Sequence, residues 1–247
     1  MTMPATDTAV HMFWAYGDLS KLERLCISSF VLQGYRVKLW TYDKINNAPS
    51  GVQLCDAREI LDEKRVFLNR SQSIVSFSDL FRYKLLNEVG GLYADTDVIA
   101  LASPDYFSKP LVVTERQAGG NDVTINNNII CNPQPHIGNL IDLAYSVADR
   151  FPPEKITWDE IGPRLLTSMI FLQPEHGFEV MAPDFANPFE YWKCPGVLLT
   201  PSVLVPEEAR FVHCYSSWWG RTGTDKNMSY PPGSLMASFE AKFGSLL

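Results

Sequence analysis

The chain has 247 residues, of which 46% are apolar and 20% are charged. This composition is typical of a globular protein that buries a core, and it excludes the disordered and fibrous classes. The formal net charge of −7 offers no general attraction for nucleic acids or anionic lipids. DNA and RNA are therefore disfavoured as partners, and any contact with them would have to come from a local basic patch.

The five cysteines show no Cys-x-x-Cys spacing, which argues against both a zinc site and a disulfide framework. The sequence also lacks a run of about 18 consecutive apolar residues, the length that a membrane span needs. Residues 1–10 do not resemble a signal peptide. These features favour a protein of the reducing cytoplasm.

The first 42 residues predict a β-α-β unit. Residues 9–15 form an apolar run typical of a buried strand, and residues 19–30 carry apolar side chains at helical spacing up to Gly34. Residues 35–42 then alternate like a second strand. Such a unit implies parallel strands with ligand chemistry at their carboxyl ends.

The middle of the chain continues the alternation of strands and helices. Residues 52–55 are predicted as a strand, and residues 56–68 as a solvated helix of mixed charge. A further helix, capped by Ser76 or Ser78, runs to residue 89 and stops at Gly90-Gly91. Residues 92–94 and 98–101 are predicted to be extended on either side of Asp95-Thr96-Asp97.

The second half predicts strands at 111–115 and 123–131 and helices at 137–151 and from Pro163 onward. The last third reads as loop-rich, and no linker divides the chain. The predicted fold class is therefore a single α/β domain.

Asp95 and Asp97 form a carboxylate pair with a chemical implication. In an extended segment both would project to one side, with Thr96 facing away. Their repulsion is relieved by a hard divalent cation, Mg²⁺ or Mn²⁺, which completes its shell with water and phosphate oxygens. That chemistry suits a diphosphate leaving group. On spacing alone, a turn with two solvated acids is an equally good interpretation.

Asp79, Arg82 and Tyr83 lie at i, i+3 and i+4, so they share one face of the predicted helix. Arg82 could donate to a phosphate or a sugar hydroxyl, while Asp79 accepts from sugar hydroxyls and holds Arg82 in place. An ordinary exposed intrahelical ion pair is the alternative.

Residues 77–98 combine three motifs, Ser-Asp-x-x-Arg-Tyr, Gly-Gly-x-Tyr and Asp-x-Asp. Together they resemble the DXD-containing sugar-binding region of glycosyltransferase family 32, which related mannosyl- and galactosyltransferases and the clostridial glucosylating toxins share. Residues 13–17, 34–40 and 213–219 are similar to further parts of these enzymes. The resemblance is strong over residues 10–101 and scattered afterwards.

The resemblance implies a GT-A type fold with a mostly parallel, Rossmann-like sheet and a single domain over residues 1–247. Residues 9–101 would bind the nucleotide sugar and Mn²⁺ or Mg²⁺, and residues 102–247 would bind the acceptor and supply a C-terminal loop. The implied reaction is retaining transfer of a hexose, with a UDP-sugar favoured, to a glycan, a lipid-linked acceptor or another hydroxyl, as in polysaccharide synthesis. Golgi relatives carry an N-terminal anchor that this sequence lacks, which favours a bacterial or viral cytoplasmic enzyme. Peripheral membrane association stays open.

The resemblance also implies roles for individual residues. Asp95, Asp97 and Arg82 would be catalytic, and Asp97, Asp95 and His213 would bind the metal. The implied substrate-binding residues are Trp14 against the base, Asp79 and Arg82 at the donor sugar, Tyr93 and Asp95 at the ribose or uracil, Trp218 or Trp219 over the pyrophosphate, and Tyr16, Tyr83 and Asn127.

Several alternatives stay open at this stage. Family members often carry a second histidine and a Gly-Ser-Trp ending that residues 213–219 lack, so a buried structural histidine is an alternative for His213. Residues 126–128 contact either sugar hydroxyls or the acceptor, or they form a turn at a strand end. Since no nucleophile is signalled, attack from the leaving-group face is the favoured route to retention.

Three other functions were compared with the glycosyltransferase interpretation. A phosphatase of the Asp-x-Asp type is disfavoured because such enzymes require threonine two residues after the second aspartate, and this chain has Ile99 at that position. A non-catalytic nucleotide-sugar binding protein would be expected to lose a metal carboxylate, yet both are present. The third keeps the chemistry but transfers the sugar to a modified nucleobase.

Overall fold

A seven-stranded β-sheet lies at the centre of the computed structural model, which describes residues 9–104, 107–120 and 122–247. Its strands are β1 (Ala9–Phe13), β2 (Arg36–Thr41), β3 (Gln53–Asp56), β4 (Gly91–Ala94), β6 (Leu111–Arg116), β7 (Val123–Asn132) and β8 (Glu179–Met181). Strand β5 (Val98–Ala100) pairs instead with β9 (Phe211–His213) in a separate two-stranded sheet.

The large sheet has the order β3-β2-β1-β4-β7-β6-β8. Neighbouring strands from β3 to β4 are parallel, β7 is antiparallel to both of its neighbours, and β6 is parallel to β8. All strands except β7 therefore point the same way. The carboxyl ends of β1, β4 and β6 and the amino end of β7 consequently meet at one edge.

Helices cover both faces of the sheet. They are α1 (Lys21–Leu32), α2 (Val75–Glu88), α3 (Leu140–Ala148), α4 (Pro163–Leu172), α5 (Pro183–Ala186), α6 (Gly196–Leu199), α7 (Ser216–Arg221) and α8 (Leu235–Phe243). Short 3-10 helices lie at Ala57–Glu59, Glu63–Arg65, Pro153–Lys155, Tyr191–Lys193 and Gly244–Leu246. None of the helices in the described ranges combines the length and apolar character needed to cross a bilayer.

Two apolar cores flank the sheet because its strands bury both of their faces. One contains Phe77 and Phe81 of α2 with Ile141 of α3, and the other contains Ile27 and Phe30 of α1. A third cluster forms around α8 and includes the fully buried Trp219. Helix α2 is thus fixed along the sheet, with its first turns at the edge where the strands end.

The α/β class and the mostly parallel sheet that the sequence predicts are confirmed. The helix predicted at 56–68 is wrong, since only two short 3-10 helices form there. The side chains of Asp56 and Asp62 explain this difference. Each accepts a hydrogen bond from the backbone N–H two residues further on, which favours a short 3-10 turn over a continuous helix. The loop-rich last third holds β8, β9 and four helices, α5 to α8, that the sequence did not predict.

The start of α2 also differs from the sequence prediction. The helix begins at Val75, ahead of the predicted caps Ser76 and Ser78. Ser76 is buried instead, and its hydroxyl donates to the carbonyl of Thr157 at 3.2 Å. The loop before α4 is thereby tied to the first turn of α2.

Gly90 and Gly91 form the link from α2 to β4, and both have positive φ angles, of 73° and 90°. A Cβ atom at position 90 would lie 3.0 Å from the carbonyl oxygen of Asn132. Glycine is therefore required there on both conformational and steric grounds. This link sets the start of the strand that leads to the two aspartates.

Candidate active site

A cleft of about 810 Å³ opens at the sheet edge where the strands end. Trp14 follows β1, Asp95 and Asp97 follow β4, and Asp79 and Arg82 reach it from α2. This is the position at which open α/β sheets usually bind ligands. The cleft is large enough for a nucleotide sugar, since ligand pockets commonly enclose about 300 to 1,000 Å³.

The Asp95–Asp97 segment is a turn and not the extended segment that the sequence predicts. The Val98 amide donates to the carbonyl oxygen of Asp95 at 3.3 Å, which closes the turn. Thr96, predicted to face away, lines the cleft with both acids. The turn redirects the chain from β4 into β5, where Val98 pairs with His213 of β9. The pairing places the histidine beside the carboxylates.

Asp95, Asp97 and His213 form a compact group of candidate metal ligands. One ligand atom from each lies within 4.8 Å of the others. The His213 Nε2 atom is 3.4 Å from Asp97 Oδ1. Two carboxylates and one imidazole form a donor set that can hold a divalent cation. The residues present thus fit a divalent cation.

The charge of Asp97 is fixed by its surroundings. Burial alone would raise the pKa of Asp97, but His213 and the Ser216 amide outweigh it and lower the pKa to about 2. The amide hydrogen bond is 2.7 Å long and comes from the N-terminus of α7. Asp97 is therefore an ionised carboxylate at neutral pH, as a cation ligand must be.

Asn187 orients the histidine from behind. Its Oδ1 atom lies 3.1 Å from His213 Nδ1 and also accepts from Asn128 Nδ2 at 2.9 Å. Its own Nδ2 donates to the Thr114 carbonyl at 2.9 Å. Because an amide oxygen only accepts, His213 carries a hydrogen on Nδ1. Its Nε2 atom faces Asp97 and would bind a cation once it has lost its own proton.

Replacing Asn187 with leucine should weaken Mn²⁺ binding by about 10- to 100-fold, the usual cost of losing such a supporting group. Isothermal titration calorimetry of the folded variant measures this affinity. The matched control is Asn87→Leu, which removes an asparagine–aspartate hydrogen bond of 2.9 Å on α2, outside the cleft lining. Unchanged Mn²⁺ affinity in Asn187→Leu would show that Asn187 does not position the histidine.

Arg82 is buried and contacts several polar groups, so it does not form the exposed intrahelical ion pair that was the alternative. We call Arg82 with its two carboxylate partners, Asp79 and Asp95, the hub. The Arg82 guanidinium contacts both carboxylate oxygens of Asp95, at 3.0 and 3.3 Å, and lies 3.4 Å from Asp79. The side chains of Arg82 and Asp79 are each only 3% exposed. Arg82 also donates to the backbone oxygen of Asn127 and rests over the Tyr93 ring. The guanidinium therefore fixes two carboxylates at the cleft.

Asp79 is held against the backbone of the loop before α4. Burial raises the pKa of Asp79 to about 7, although Arg82 and Asn127 act in the opposite direction. Asn127 Nδ2 donates to Asp79 Oδ1 at 2.8 Å. On the other side, a Cβ atom at Gly162 would lie 2.5 Å from Asp79 Oδ2. Only glycine leaves this carboxylate in its place.

Gly162→Ala should displace Asp79 and lower the activity proposed below by about 100-fold, because a shift of 1 Å in a positioning group has that effect. The rate of donor hydrolysis measures it. Gly196→Ala is the matched control, since a Cβ atom there meets nothing within 4 Å. Equal activity of both variants would contradict the role of Asp79.

The structure brings eight of the predicted site residues to the cleft. These are Trp14, Asp79, Arg82, Asp95, Asp97, Asn127, His213 and Trp218. Tyr83, Tyr93 and Trp219 are fully buried, and they do not contribute to its lining. Tyr16 is exposed and donates to Glu63 at 3.2 Å, also outside the lining. The substrate contacts predicted for these four residues are not supported by their positions.

The structure shows which of the two neighbouring tryptophans, Trp218 or Trp219, faces the cleft, a point that the sequence left open. Tyr215 has a left-handed backbone, with φ of 51°, and starts α7. Trp218 then faces the cleft, while Trp219 Nε1 donates to the Cys214 carbonyl at 3.0 Å in the core. Only Trp218 is placed to meet a ligand.

Sequence reasoning missed the polar end of the β6–β7 hairpin and the far wall of the cleft. The missed lining residues include Glu115, Gln117, Thr124, Trp158, Arg164, Ser216 and Arg221. Asn126 and Asn127, whose alternative was a turn, lie on β7 and line the cleft. Strand alternation could have placed Glu115 of β6 and Gln117, just after it, on one side of the chain, but nothing local shows that this side meets the aspartates.

One part of the chain matches a known protein family. Residues 19–116 match the family model described as "Glycosyltransferase sugar-binding region containing DXD motif". None of the curated proteins compared matches the chain.

Several solved structures are similar to the chain. The PaToxG glycosyltransferase is 18% identical, with 68% of this chain and 69% of that chain covered and a TM-score of 0.47. The apo form of the glycosyltransferase GlyE of Streptococcus pneumoniae TIGR4 is 14% identical, with 96% and 64% covered and a TM-score of 0.47. Another GlyE structure is 14% identical, with 89% and 62% covered and a TM-score of 0.43. The chain spans less than two thirds of the two GlyE chains.

The matched region contains the features that build one side of the cleft. Asp79 and Arg82 of α2 and the turn from Asp95 to Asp97 all lie within it. Residues 19–116 therefore match a glycosyltransferase sugar-binding region containing a DXD motif, and residues of that match line the cleft.

Proposed function

We propose that this protein transfers a hexose from a nucleotide diphosphate sugar, with a UDP-sugar favoured, to a hydroxyl acceptor with the help of Mn²⁺ or Mg²⁺. The observation that carries the proposal is the convergence of Asp95, Asp97 and His213 within 4.8 Å at the wall of a cleft of about 810 Å³. Glycan and lipid-linked acceptors, as in polysaccharide synthesis, belong to the same proposal.

Each residue at the cation site has a separate task. When bound, the cation neutralises the charge that builds on the departing diphosphate. Asp97, with its lowered pKa, and His213, oriented by Asn187, would hold it directly. Asp95 is fixed by Arg82 at 3.0 Å, so its carboxylate would meet the cation and the ribose without rearranging.

The donor sugar would lie beside Asp79 and Asn127. Their side chains are joined at 2.8 Å and line the cleft, so their remaining polar atoms can bond sugar hydroxyls. Trp14 follows β1 at the cleft and offers an aromatic face to the base. Stacking of a base on an aromatic side chain contributes about 1 to 3 kcal/mol. The Trp218 ring, whose centroid lies 5.4 Å from that of Tyr191, lines the cleft and would cover the pyrophosphate.

The proposal includes retention of configuration through attack from the leaving-group face. It also keeps residues 9–101 as the donor-binding part and residues 102–247 as the acceptor-binding part of one domain. His213 belongs to the second part and lies with Asp95 and Asp97 of the first, so the two parts would share the cation. A cytoplasmic location, with peripheral association at a membrane, completes the proposal and is open to cell fractionation.

The proposed function is tested by hydrolysis of a panel of UDP-, GDP- and ADP-sugars with Mn²⁺, with Mg²⁺ and with EDTA. We expect release of the nucleoside diphosphate from a UDP-sugar, its loss with EDTA and its return with added Mn²⁺. Turnover that needs no metal, or no turnover with any donor, would contradict the proposal.

A further inference from the structure

Glu115 is a carboxylate at the cleft that the proposed donor and metal sites do not use. It lies on β6, at the sheet edge where β4 delivers the aspartates. Its Oε2 atom accepts hydrogen bonds from Asn126 Nδ2 at 2.7 Å and from the Tyr215 hydroxyl at 3.2 Å. Its Oε1 atom accepts only a long one, of 3.4 Å, from Gln117. One oxygen is thus fixed and the other is available to a ligand.

The hydrogen-bond partners of Glu115 are all neutral. Within the described part of the chain no lysine or arginine forms an ion pair with it. The other acids of the cleft each have a basic partner: Asp79 and Asp95 share Arg82, Asp97 faces His213, and Asp159 faces Arg164. A half-buried carboxylate without a lysine or arginine partner is costly, so its position at a cleft favours a functional role.

Glu115 is coupled to the cation site through one side chain. The Tyr215 ring packs against the His213 ring at a tilt of 33°, with 3.8 Å between the ring centroids, and its hydroxyl donates to Glu115. Glu115 and the candidate metal ligand His213 therefore contact the same tyrosine. It also belongs to the acceptor-binding part, whereas the proposed sugar contact Asp79 belongs to the donor-binding part.

We propose that Glu115 binds the attacking hydroxyl of the acceptor through Oε1 and takes its proton during transfer. The acceptor oxygen forms a bond to the anomeric carbon while the bond from that carbon to the diphosphate oxygen breaks. The electron pair leaves on the nucleoside diphosphate, and the hydroxyl proton passes to the Glu115 carboxylate and later to solvent. This inference rests on the proposed function and names the base that the acceptor meets.

The test uses donor hydrolysis, with water as the acceptor, by the whole chain and by Glu115→Gln. Removing a positioned base lowers the rate by about 10²- to 10⁴-fold. We expect kcat to fall by that factor, while KM for the donor and the affinities for UDP and Mn²⁺ stay within about twofold of wild type. Glu179→Gln on β8 is the control, because this exposed glutamate lies outside the cleft lining.

Azide distinguishes a base from the other roles that a carboxylate can have, because an azide ion attacks without losing a proton. Sodium azide should restore donor consumption by Glu115→Ala and give a glycosyl azide with the same anomeric configuration as the wild-type product. An azide of opposite configuration would identify Glu115 as a covalent nucleophile and overturn the inference.

Two further outcomes also overturn it. Wild-type rates in Glu115→Gln would show that the base is not needed, and an equal loss of UDP affinity would assign Glu115 to donor binding. Failure of the proposed function is separate from all of these, because then the wild-type chain itself hydrolyses no nucleotide sugar.

Discussion

Asp97→Asn should lower nucleotide-sugar hydrolysis by about a thousandfold or more, because a catalytic cation contributes several kcal/mol to stabilising the charged transition state. The asparagine amide keeps an oxygen that can accept from the Ser216 amide, so the turn should persist. The variant loses the negative charge of Asp97. In the wild type, His213 and the Ser216 amide stabilise that charge and lower the pKa of Asp97 to about 2. The measurement is the initial rate of UDP release at saturating Mn²⁺.

The control for this loss is Asp149→Asn, which removes a carboxylate paired with Arg65 outside the cleft lining. That variant should keep the wild-type rate. Circular dichroism and the melting temperature show whether Asp97→Asn is folded. A folded Asp97→Asn enzyme with wild-type turnover would refute the role of Asp97 as a metal ligand.

Arg82→Leu should lower the free energy of unfolding by about 3 to 5 kcal/mol, since it leaves buried carboxylates without their cation. Asp79 loses an ion pair of 3.4 Å in a site where its burial already raises its pKa to about 7. Asp95 loses a two-point contact. Urea denaturation followed by tryptophan fluorescence measures the change.

Arg164→Leu is the matched control, because it breaks an ion pair with Asp159 in which the arginine side chain is 62% exposed. Pairs of that kind contribute about 1 kcal/mol or less. The double variant Arg82→Leu with Asp95→Asn should recover part of the loss. A change below about 1 kcal/mol in Arg82→Leu would show that Arg82 does not hold the two carboxylates of the hub.

The sequence predicted the parts of the site that depend on local spacing. Asp79 and Arg82 share a face because they are three residues apart on a helix, and the two aspartates follow one strand. Hydrophobic periodicity also predicted the β-α-β unit and hence the edge at which the cleft opens. The turn geometry at Thr96 was missed because strand alternation was carried past the end of β4 at Ala94 and through Asp97.

The parts that depend on pairing between distant segments were not predictable in the same way. His213 meets Asp97 only because β9 pairs with β5, and Asn187 meets His213 from the loop after α5. Glu115 reaches the cleft because β7 is antiparallel to both β4 and β6. Strand β6 therefore ends at the same edge of the sheet as β4. No short motif encodes these contacts, since each one needs the tertiary fold. The buried positions of Tyr83 and Tyr93 follow from packing that a motif cannot show.

The central claim is that Asp95, Asp97 and His213 together bind the cation that carries the diphosphate. A crystal structure grown with Mn²⁺ and UDP tests it most directly, because manganese gives an anomalous signal that places the ion without reference to the protein. We expect one strong peak about 2.0 to 2.3 Å from Asp97 and His213 and in contact with the UDP diphosphate. An ion bound elsewhere, or UDP bound in the cleft with no ion beside these residues, would contradict the claim.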